Sequence, residues 1–387
     1  MSEWKKVKLG ELCDITSSKR CLASERSNNG IPFYCSKEII LLEKGEEIRD
    51  SDYIPVELYL SIKEKYGVPI TGDLLLTTRG TNGIPYIYKK HDCFYFADGN
   101  LSWFKNFKSD LDVKYLYYWF KSDTGKHIID SIAKGTAQKA IPIDGLRNIN
   151  ISIPSIRVQC KISEILSHYD TLIENYQKQI KLLEESAQRL YKEWFVDLRF
   201  PGYENTKIVD GVPEGWEKKC LGELVCFKRG KTITKKEIIE GNIPVVAGGT
   251  EPAYYCNKSN TRNRVITISA SGANAGYTRM YFEEIWASDC SFIDCSMTNY
   301  FHFIYCYLIA NKIAIDNLQK GAAQPHVYPK DINALTLCCP HNDILDSFES
   351  KISYYFDLIS SLQIQIHKLI EARDRLLPKL MSGEIEV

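Results

Sequence analysis

Trp4-Lys5-Lys6-Val7-Lys8-Leu9-Gly10-Glu11-Leu12 is the stretch that decides the fold, because a second version of it stands 212 residues further along the chain. That second version reads Trp216-Glu217-Lys218-Lys219-Cys220-Leu221-Gly222-Glu223-Leu224. The pair Ile31-Pro32 returns with the same offset as Ile243-Pro244. Agreement in register over such distances is typical of an internal repeat. The sequence therefore predicts two homologous halves.

The offset between the halves shrinks to 186 residues in their later parts. Lys134-Gly135-Thr136-Ala137-Gln138 corresponds to Lys320-Gly321-Ala322-Ala323-Gln324, and Pro154 corresponds to Pro340. The first half therefore carries 26 more residues in its middle. Both halves keep one internal order: a β-rich stretch with turns (72–80 and 264–272), an aromatic-rich helix expected in the core (114–120 and 300–309), a short strand and a long helix.

A periodic apolar pattern predicts the two long helices. Steps of mostly three and four residues join Val158, Ile162, Ile165, Tyr169, Leu172, Tyr176, Ile180, Leu183, Ala187, Leu190 and Trp194, and likewise Ile344, Phe348, Ile352, Tyr355, Leu358, Leu362, Ile366, Leu369, Ala372, Leu376 and Leu380. This spacing keeps one apolar seam over several heptads and favours a coiled coil. Each seam could pair with its own kind in another molecule. However, one chain already holds two matched seams, so antiparallel pairing within the chain is the simpler solution.

The predicted fold class is α+β, with two homologous β-rich domains separated by two long helices that form an antiparallel intramolecular coiled coil. The predicted boundaries are 1–154 for the first domain, 155–198 for the central helix, 199–340 for a linker and the second domain, and 341–387 for the C-terminal helix and tail. Turn-forming residues 199–205 end the first helix, and the second is expected to end near Pro378 and Gly383.

Composition excludes several classes of protein. The 49 basic and 49 acidic residues cancel, which argues against a general nucleic-acid coat but not against a reader whose basic groups are clustered. The 13 cysteines include no Cys-x-x-Cys pair and are expected to be buried, reduced thiols. The N-terminus lacks the apolar core of a signal peptide, and the longest apolar stretch, about ten residues from Tyr300, is too short to span a bilayer. A cytoplasmic protein with no membrane association is expected.

Catalytic signatures are missing from the sequence. Gly230-Lys231-Thr232 resembles the end of a phosphate-binding loop, but the glycine required at position 225 is Val225. No tetrapeptide typical of a methyltransferase acting on exocyclic amines occurs. Glu217-Lys218-Lys219 matches a nuclease fragment that is expected by chance in a chain with 25% charged residues. The seven histidines are scattered without metal-ligand spacing. We therefore predict no catalytic and no metal-ligating residue.

A duplicated module of β-rich domain and long helix without an active site resembles the specificity subunit of type I restriction–modification systems. The resemblance covers essentially the whole chain. It is carried by Trp194-Phe195-Val196-Asp197-Leu198-Arg199-Phe200-Pro201-Gly202, by Val212-Pro213-Glu214-Gly215-Trp216 with Leu221-Gly222-Glu223-Leu224, and by Leu376-Leu377-Pro378-Lys379-Leu380-Met381-Ser382-Gly383-Glu384. One departure is the missing Pro-x-Gly before Trp4.

The resemblance implies a non-catalytic DNA-recognition subunit. Each β-rich half would be a target-recognition domain that reads one half of a split, asymmetric site in double-stranded DNA. The paired helices would set the spacing and dock two methyltransferase subunits, which restriction and translocase subunits join. This subunit would hold no cofactor, because S-adenosylmethionine, ATP and magnesium would belong to the partners. The methylating partner would flip an adenine out of the stack.

Base discrimination in the major groove needs polar and basic side chains on loops. We expect DNA contacts from Arg79, Thr81, Asn82, Lys134, Gln138 and Lys139 in the first half, and from Ser269, Ser271, Asn274, Lys320, Gln324 and His326 in the second. A segment common to two different readers cannot carry their difference, so the shared Gly-Ala/Thr-Ala-Gln stretch could equally be a structural turn or could position phosphates.

Two other functions compete with this interpretation. The chain could be the recognition subunit of a combined methyltransferase–nuclease or of a modification-only system. It could also be a coiled-coil protein scaffold without a DNA role. A gel shift with the purified chain separates the scaffold from the DNA readers, and neighbouring genes for a methyltransferase and an ATP-dependent motor separate the remaining alternatives.

Overall fold

The computed structural model describes residues 4–135, 139–234, 236–321 and 324–387. The chain forms two compact units. Unit 1 comprises the chain up to Asn175 together with Ile366–Val387, and unit 2 comprises Tyr176–Gln365. These divisions fall inside both long helices. The predicted boundaries at 154, 198 and 340, which separate domains from helices, therefore stay a prediction.

The helices and strands follow one order along the chain. The first part contains β1 (Lys5–Lys8), β2 (Asp14–Thr16), β3 (Ile31–Tyr34), α1 (Ser36–Lys44), β4 (Asp52–Ile54), α2 (Val56–Tyr66), β5 (Leu74–Thr77), β6 (Pro85–Ile87), β7 (Tyr95–Phe96), β8 (Leu101–Lys105), α3 (Val113–Lys121), α4 (Asp123–Ile132), α5 (Ile143–Arg147), β9 (Asn150–Ile153) and α6 (Ile156–Tyr191). The second part contains β10 (Ile208–Val209), β11 (Val212–Pro213), β12 (Glu217–Cys220), α7 (Leu221–Leu224), β13 (Lys228–Arg229), β14 (Ile243–Val246), β15 (Tyr254–Cys256), β16 (Val265–Ser269), β17 (Thr278–Tyr281), β18 (Trp286–Ala287), β19 (Cys290–Asp294), α8 (Phe301–Ala310), α9 (Lys312–Asp316), α10 (Pro329–Asn333), β20 (Thr336–Cys339) and α11 (Asn342–Ser382). Short 3-10 helices lie at Leu9–Glu11, Ala23–Glu25 and Tyr203–Asn205, and a π-helical turn follows α6 at Lys192–Val196.

The sheets of the two units have the same topology. Unit 1 has a four-stranded antiparallel sheet of order β2-β8-β5-β6, a three-stranded sheet of order β4-β3-β7 and the ribbon β1-β9. Unit 2 repeats these as β13-β19-β16-β17, β15-β14-β18 and β12-β20. In the ribbons, Lys5 pairs with Ile153 and Glu217 pairs with Cys339. The first strands of the two ribbons are therefore related by the offset of 212, and their second strands by the offset of 186.

The aromatic-rich helices are core helices, as predicted. In α3 the side chains of Tyr115, Leu116 and Phe120 are buried, and nearly every residue of α8 from Phe301 to Leu308 is buried too. The central strands β5 and β16 are buried along their whole length, on both faces. This matches their continuous apolar sequences rather than the alternation of a strand with one wet face.

The two long helices pair in opposite directions. Within unit 1, the Arg373 guanidinium of α11 lies 2.6 Å from the Asp170 carboxylate of α6. Within unit 2, the ring of Phe348 in α11 lies 6.2 Å from that of Tyr191 in α6. Later residues of α6 therefore meet earlier residues of α11, which confirms the predicted antiparallel intramolecular coiled coil. Pro378 does not end the second helix, which runs to Ser382 and stops at Gly383, whose φ of 75° suits a glycine C-terminal cap.

One polar layer interrupts the apolar seam in unit 1. Asp170 accepts hydrogen bonds from Arg373 and from the Tyr118 hydroxyl, each at 2.6 Å. Burial and the nearby Asp170 carboxylate raise the pKa of Tyr118, so its hydroxyl stays a donor. The offset of 186 places Phe356 and Ala187 at the equivalent positions of unit 2, and both are buried. The two ends of the coiled coil therefore differ at this layer.

Asp170→Ala is expected to lower the free energy of unfolding by about 2 kcal/mol, because it leaves two partly buried donors without their acceptor. Asp374→Ala is the matched control, since Asp374 pairs with the same guanidinium at 2.9 Å but is 57% exposed, and should cost less than about 1 kcal/mol. Denaturant unfolding followed by circular dichroism measures both. Equal losses of stability in the two variants would show that the hydrogen bonds of Asp170 do not stabilise the coiled coil more than an exposed ion pair does.

Among the described residues, no helix has the length and apolar character needed to cross a bilayer. All 13 cysteines are free thiols. Six of them are buried, but five are exposed, so the expectation of burial is wrong for those five: Cys93, Cys160, Cys220, Cys226 and Cys295.

Candidate nucleic-acid interface

The four-stranded sheet of unit 1 ends in a loop cluster that we call tip 1, made of residues 79–82, 134, 135, 139 and 140. Arg79 and Lys134 each form an isolated β-bridge with Ala140. The backbone N–H of Ile141 donates to the carbonyl of Thr78 at 3.0 Å. The segment that precedes Ile141 is therefore held against the exit of β5.

The corresponding cluster of unit 2, tip 2, consists of residues 271–274, 320, 321 and 324–326. Ser271 and Lys320 each form an isolated β-bridge with His326. The N–H of Val327 donates to the carbonyl of Ala270 at 3.0 Å. The backbone scaffold of tip 1 thus recurs in tip 2, while the side chains that it carries are different.

Five of the six residues predicted for the first half lie together at tip 1. Arg79, Thr81, Lys134 and Lys139 are exposed there. Asn82 is half-buried, and its Nδ2 donates to the Lys139 carbonyl at 3.3 Å. The sixth residue, Gln138, lies outside the described residues. DNA contact by these side chains stays a prediction.

Five of the six residues predicted for the second half lie at tip 2: Ser271, Asn274, Lys320, Gln324 and His326. The sixth, Ser269, is only 3% exposed, and its hydroxyl donates to the Gly248 carbonyl at 3.0 Å. A hydroxyl that already has an internal partner is suited to fixing the loop, so this placement favours a structural role for Ser269. The DNA contacts of the other five stay predictions as well.

The two tips differ in charge. Arg79, Lys134 and Lys139 are exposed, and none forms an ion pair with another described residue. At tip 2, the Lys320 ammonium lies 2.8 Å from Asp331. Unpaired surface cations are the groups that contact phosphates most readily. Tip 1 therefore offers a cationic surface, whereas the charge of tip 2 is partly balanced internally.

A cavity of about 310 Å³ adjoins tip 1. Ser18, Lys19, Arg20, Thr78 and Asp98 are among its lining residues. The loop is anchored because the Lys19 N–H donates to the Tyr95 hydroxyl at 2.7 Å, and burial raises the pKa of Tyr95 to about 12. The Ser18 hydroxyl is buried without a hydrogen-bond partner among the described residues. The cavity therefore combines polar and basic groups on a fixed loop.

Sequence reasoning missed the loops that follow β2 and β13. Lys19 and Lys231 are related by the offset of 212, and each follows the first strand of its four-stranded sheet. Arg229 and Asp289 also lie beside tip 2 and form an ion pair at 2.5 Å. The first offset of the repeat could have pointed to Lys19 and Lys231. The contact between Arg229 and Asp289 could not have been found, because it depends on the pairing of β13 with β19, the strand that begins one residue after Asp289.

The two tips present hydrogen-bond donors and acceptors on short loops fixed by strands. Such groups can bond to base edges and phosphates, as direct sequence reading requires. Among the described residues, no group of three or more histidine, cysteine, aspartate or glutamate side chains is placed to hold a metal ion.

Several known proteins are similar to this chain in sequence. The family model described as "Type I restriction modification DNA specificity domain" matches residues 1–185 and again residues 213–373. The MjaIX type I restriction enzyme specificity subunit of Methanocaldococcus jannaschii is 31% identical over 307 residues, which are 72% of this chain and 71% of that protein. A putative type I specificity subunit of Mycoplasma pneumoniae is 28% identical over 282 residues, covering 70% of this chain and 73% of the relative.

Solved structures show a similar fold. The crystal structure of the type I restriction–modification S subunit from M. genitalium covers 98% of this chain and is itself covered to 96%, with a TM-score of 0.62. The sequences are 18% identical, so this similarity concerns the fold alone. It extends over the β-rich parts and the long helices of both halves.

Proposed function

This chain belongs to the family of type I restriction–modification DNA specificity subunits, and from that membership we propose that each of its two tips reads one half of a split, asymmetric DNA site. The observation that carries the proposal is the repeated scaffold with different side chains. Arg79 and Ser271 occupy equivalent bridges of the two tips. A DNA site with two unlike halves requires two domains of the same fold that carry different side chains at their DNA-contacting positions.

The DNA-reading chain works with catalytic partners in this proposal. Two methyltransferase subunits dock on the paired helices, and restriction and translocase subunits join them. The chain itself contributes no catalysis and holds no cofactor, while S-adenosylmethionine, ATP and magnesium are held by the partners. Since the proposed substrate is cellular DNA, we also propose a cytoplasmic location.

The division of labour has a direct test. The purified full chain is expected to shift double-stranded DNA in a gel and neither to methylate nor to cleave it. Co-expression with its methyltransferase partner should produce adenine methylation at a split motif, which methylome sequencing detects. The matched control is the methyltransferase expressed alone, which should leave that motif unmethylated. Methyl transfer by the purified chain alone, or a split motif methylated without the chain, would refute the proposal.

A further inference from the structure

Arg229, Asp289 and Ser271 form a connected polar group at the edge of tip 2. We propose that Arg229 reads one base of the half-site bound by unit 2, with guanine as the preferred base, and that Asp289 is the residue that positions it. The inference rests on the proposed function, because it names the side chain that gives this tip its sequence preference.

The backbone that carries Arg229 is fixed on both sides. Arg229 pairs with Ser291 in the four-stranded sheet, and the N–H of Gly230 donates to the Cys290 carbonyl at 2.8 Å. A side chain at position 230 is excluded by the close carbonyl of Ser288. The guanidinium therefore projects from a rigid strand end and not from a mobile loop, and reading sites on rigid elements are the more precise ones.

The Asp289 carboxylate has donors on both of its oxygens. Oδ1 accepts from the Arg229 guanidinium at 2.5 Å, and Oδ2 accepts from the Ser271 hydroxyl. Its backbone carbonyl also accepts the N–H of Ala270 at 3.2 Å. A carboxylate occupied in this way is suited to hold Arg229 in place.

Arg229 itself has donors to spare. Its side chain is 42% exposed, and one of its terminal nitrogens bonds to Asp289, the one side chain among the described residues with which it forms a hydrogen bond. A guanidinium has five N–H donors in a planar fork. Two parallel donors of this fork match O6 and N7 of guanine in the major groove, which is the commonest specific contact between a side chain and a base. A fork held by a carboxylate is already ordered before DNA binds.

The equivalent positions of unit 1 carry different chemistry. Thr16 pairs with Trp103, just as Lys228 pairs with Phe292. This register makes Ser17 the counterpart of Arg229 and Asn100 the counterpart of Asp289. Unit 1 therefore lacks the ion pair at this point of its tip. The ion pair of Arg229 with Asp289 occurs in unit 2 and is replaced in unit 1, so it is suited to distinguish the two half-sites. The Lys-Gly segment that both halves share is not.

The test compares methylomes of cells that express the full chain with its methyltransferase partner. The wild-type chain first defines the split motif. Arg229→Ala is expected to relax one base pair of one half-site, with discrimination against the other bases falling roughly tenfold to a hundredfold. The half-site bound by unit 1 should be unchanged. Arg229→Lys should relax the same position, because an ammonium keeps the charge but loses the fork, and Asp289→Asn should relax it to a smaller degree.

Lys219→Ala is the matched control. Lys219 is 38% exposed and pairs with Glu217 at 2.9 Å, but it lies on β12, in the ribbon and not at the tip. Cells that express Lys219→Ala with the methyltransferase partner should have the same methylome as cells that express the wild-type chain. If Arg229→Ala does not fold, Arg229→Lys and Asp289→Asn still test whether discrimination at that base position is lost.

Two outcomes would overturn the inference while leaving the proposed function intact. One is an even loss of methylation at all sites in Arg229→Ala with wild-type behaviour in Arg229→Lys, which is the pattern of a phosphate contact. The other is an unchanged motif in both variants, which is the pattern of a surface ion pair. A wild-type chain that specifies no split motif would instead refute the proposed function, and the inference would fall with it.

Discussion

Replacing residues 1–154 by the corresponding residues of a relative with a different target is expected to change one half of the methylated site completely and to leave the other half as it was. Tip 1 lies within these residues, and its bridges from Arg79 and Lys134 to Ala140 are all internal to them. Tip 2 shares no residue with the exchanged segment. Methylome sequencing of cells that express the chimera with the methyltransferase gives both half-sites in one measurement.

The exchange must preserve the packing of the first domain on the long helices. The Asp112 carboxylate accepts from the Ser163 hydroxyl at 2.5 Å, and the Gln159 amide donates to the Asp110 carbonyl at 2.8 Å. A donor sequence that keeps aspartate at position 112 and tyrosine at position 118 is therefore the one to use. The control is a chimera from a relative with the same target, which should reproduce the wild-type methylome. A change in both half-sites would show that the two units do not read separately.

Phe348→Ala is expected to destabilise unit 2 by about 3–5 kcal/mol, the usual cost of removing a large buried aromatic ring. Phe348 is completely buried, and its ring centroid lies 4.9 Å from that of Phe195 and 5.6 Å from that of Trp194. These rings join both long helices to the core of the second domain within unit 2. Truncating Phe348 would leave a cavity, because the rings of Trp194 and Phe195 pack against it and cannot both move to fill the space.

Hydrogen exchange resolved by segment measures this loss where it occurs, because a chain of two units need not unfold in a single step. Protection of α8 and of the first half of α11 should fall strongly. Tyr354→Ala is the matched control on the same helix, since Tyr354 is 71% exposed, and it should change stability by no more than about 0.5 kcal/mol. Similar losses of protection in both variants would contradict the role of the aromatic cluster.

The architecture could be predicted from the sequence because its signals repeat. The two offsets, 212 and 186, identified the halves, and the three-and-four spacing identified α6 and α11. The presence of two matched seams in one chain indicated their antiparallel pairing. These patterns depend on which residues are apolar, a property that is written along the chain. The end of α11 near Gly383 could be predicted as well. A helix can continue through Pro378 near its last turn, and the actual stop is the left-handed Gly383.

The tips could be predicted only in part. The shared Lys-Gly stretch led to Lys134 and Lys320, and the turns after the buried strands led to Arg79 and Ser271. Ser269 is polar and near a turn, but the sequence of β16 does not reveal its burial, because both faces of that strand are covered. The ion pair of Arg229 with Asp289 depends on strand pairing, which sequence periodicity does not specify. The residues best placed to give one half its own preference were therefore the hardest to predict.

The polar layer of the coiled coil favours pairing between the two unlike helices of one chain over pairing between like helices. If the first helices of two molecules paired with each other, Asp170 would face Ala187 twice and each carboxylate would lose its guanidinium. If the second helices paired, Arg373 would face Phe356 twice. Charges without a partner on a partly buried seam are disfavoured, so both like pairings are less stable than the unlike pairing within one chain. The two halves therefore select each other, and a chain built from either half alone would place a charge without its partner in this layer.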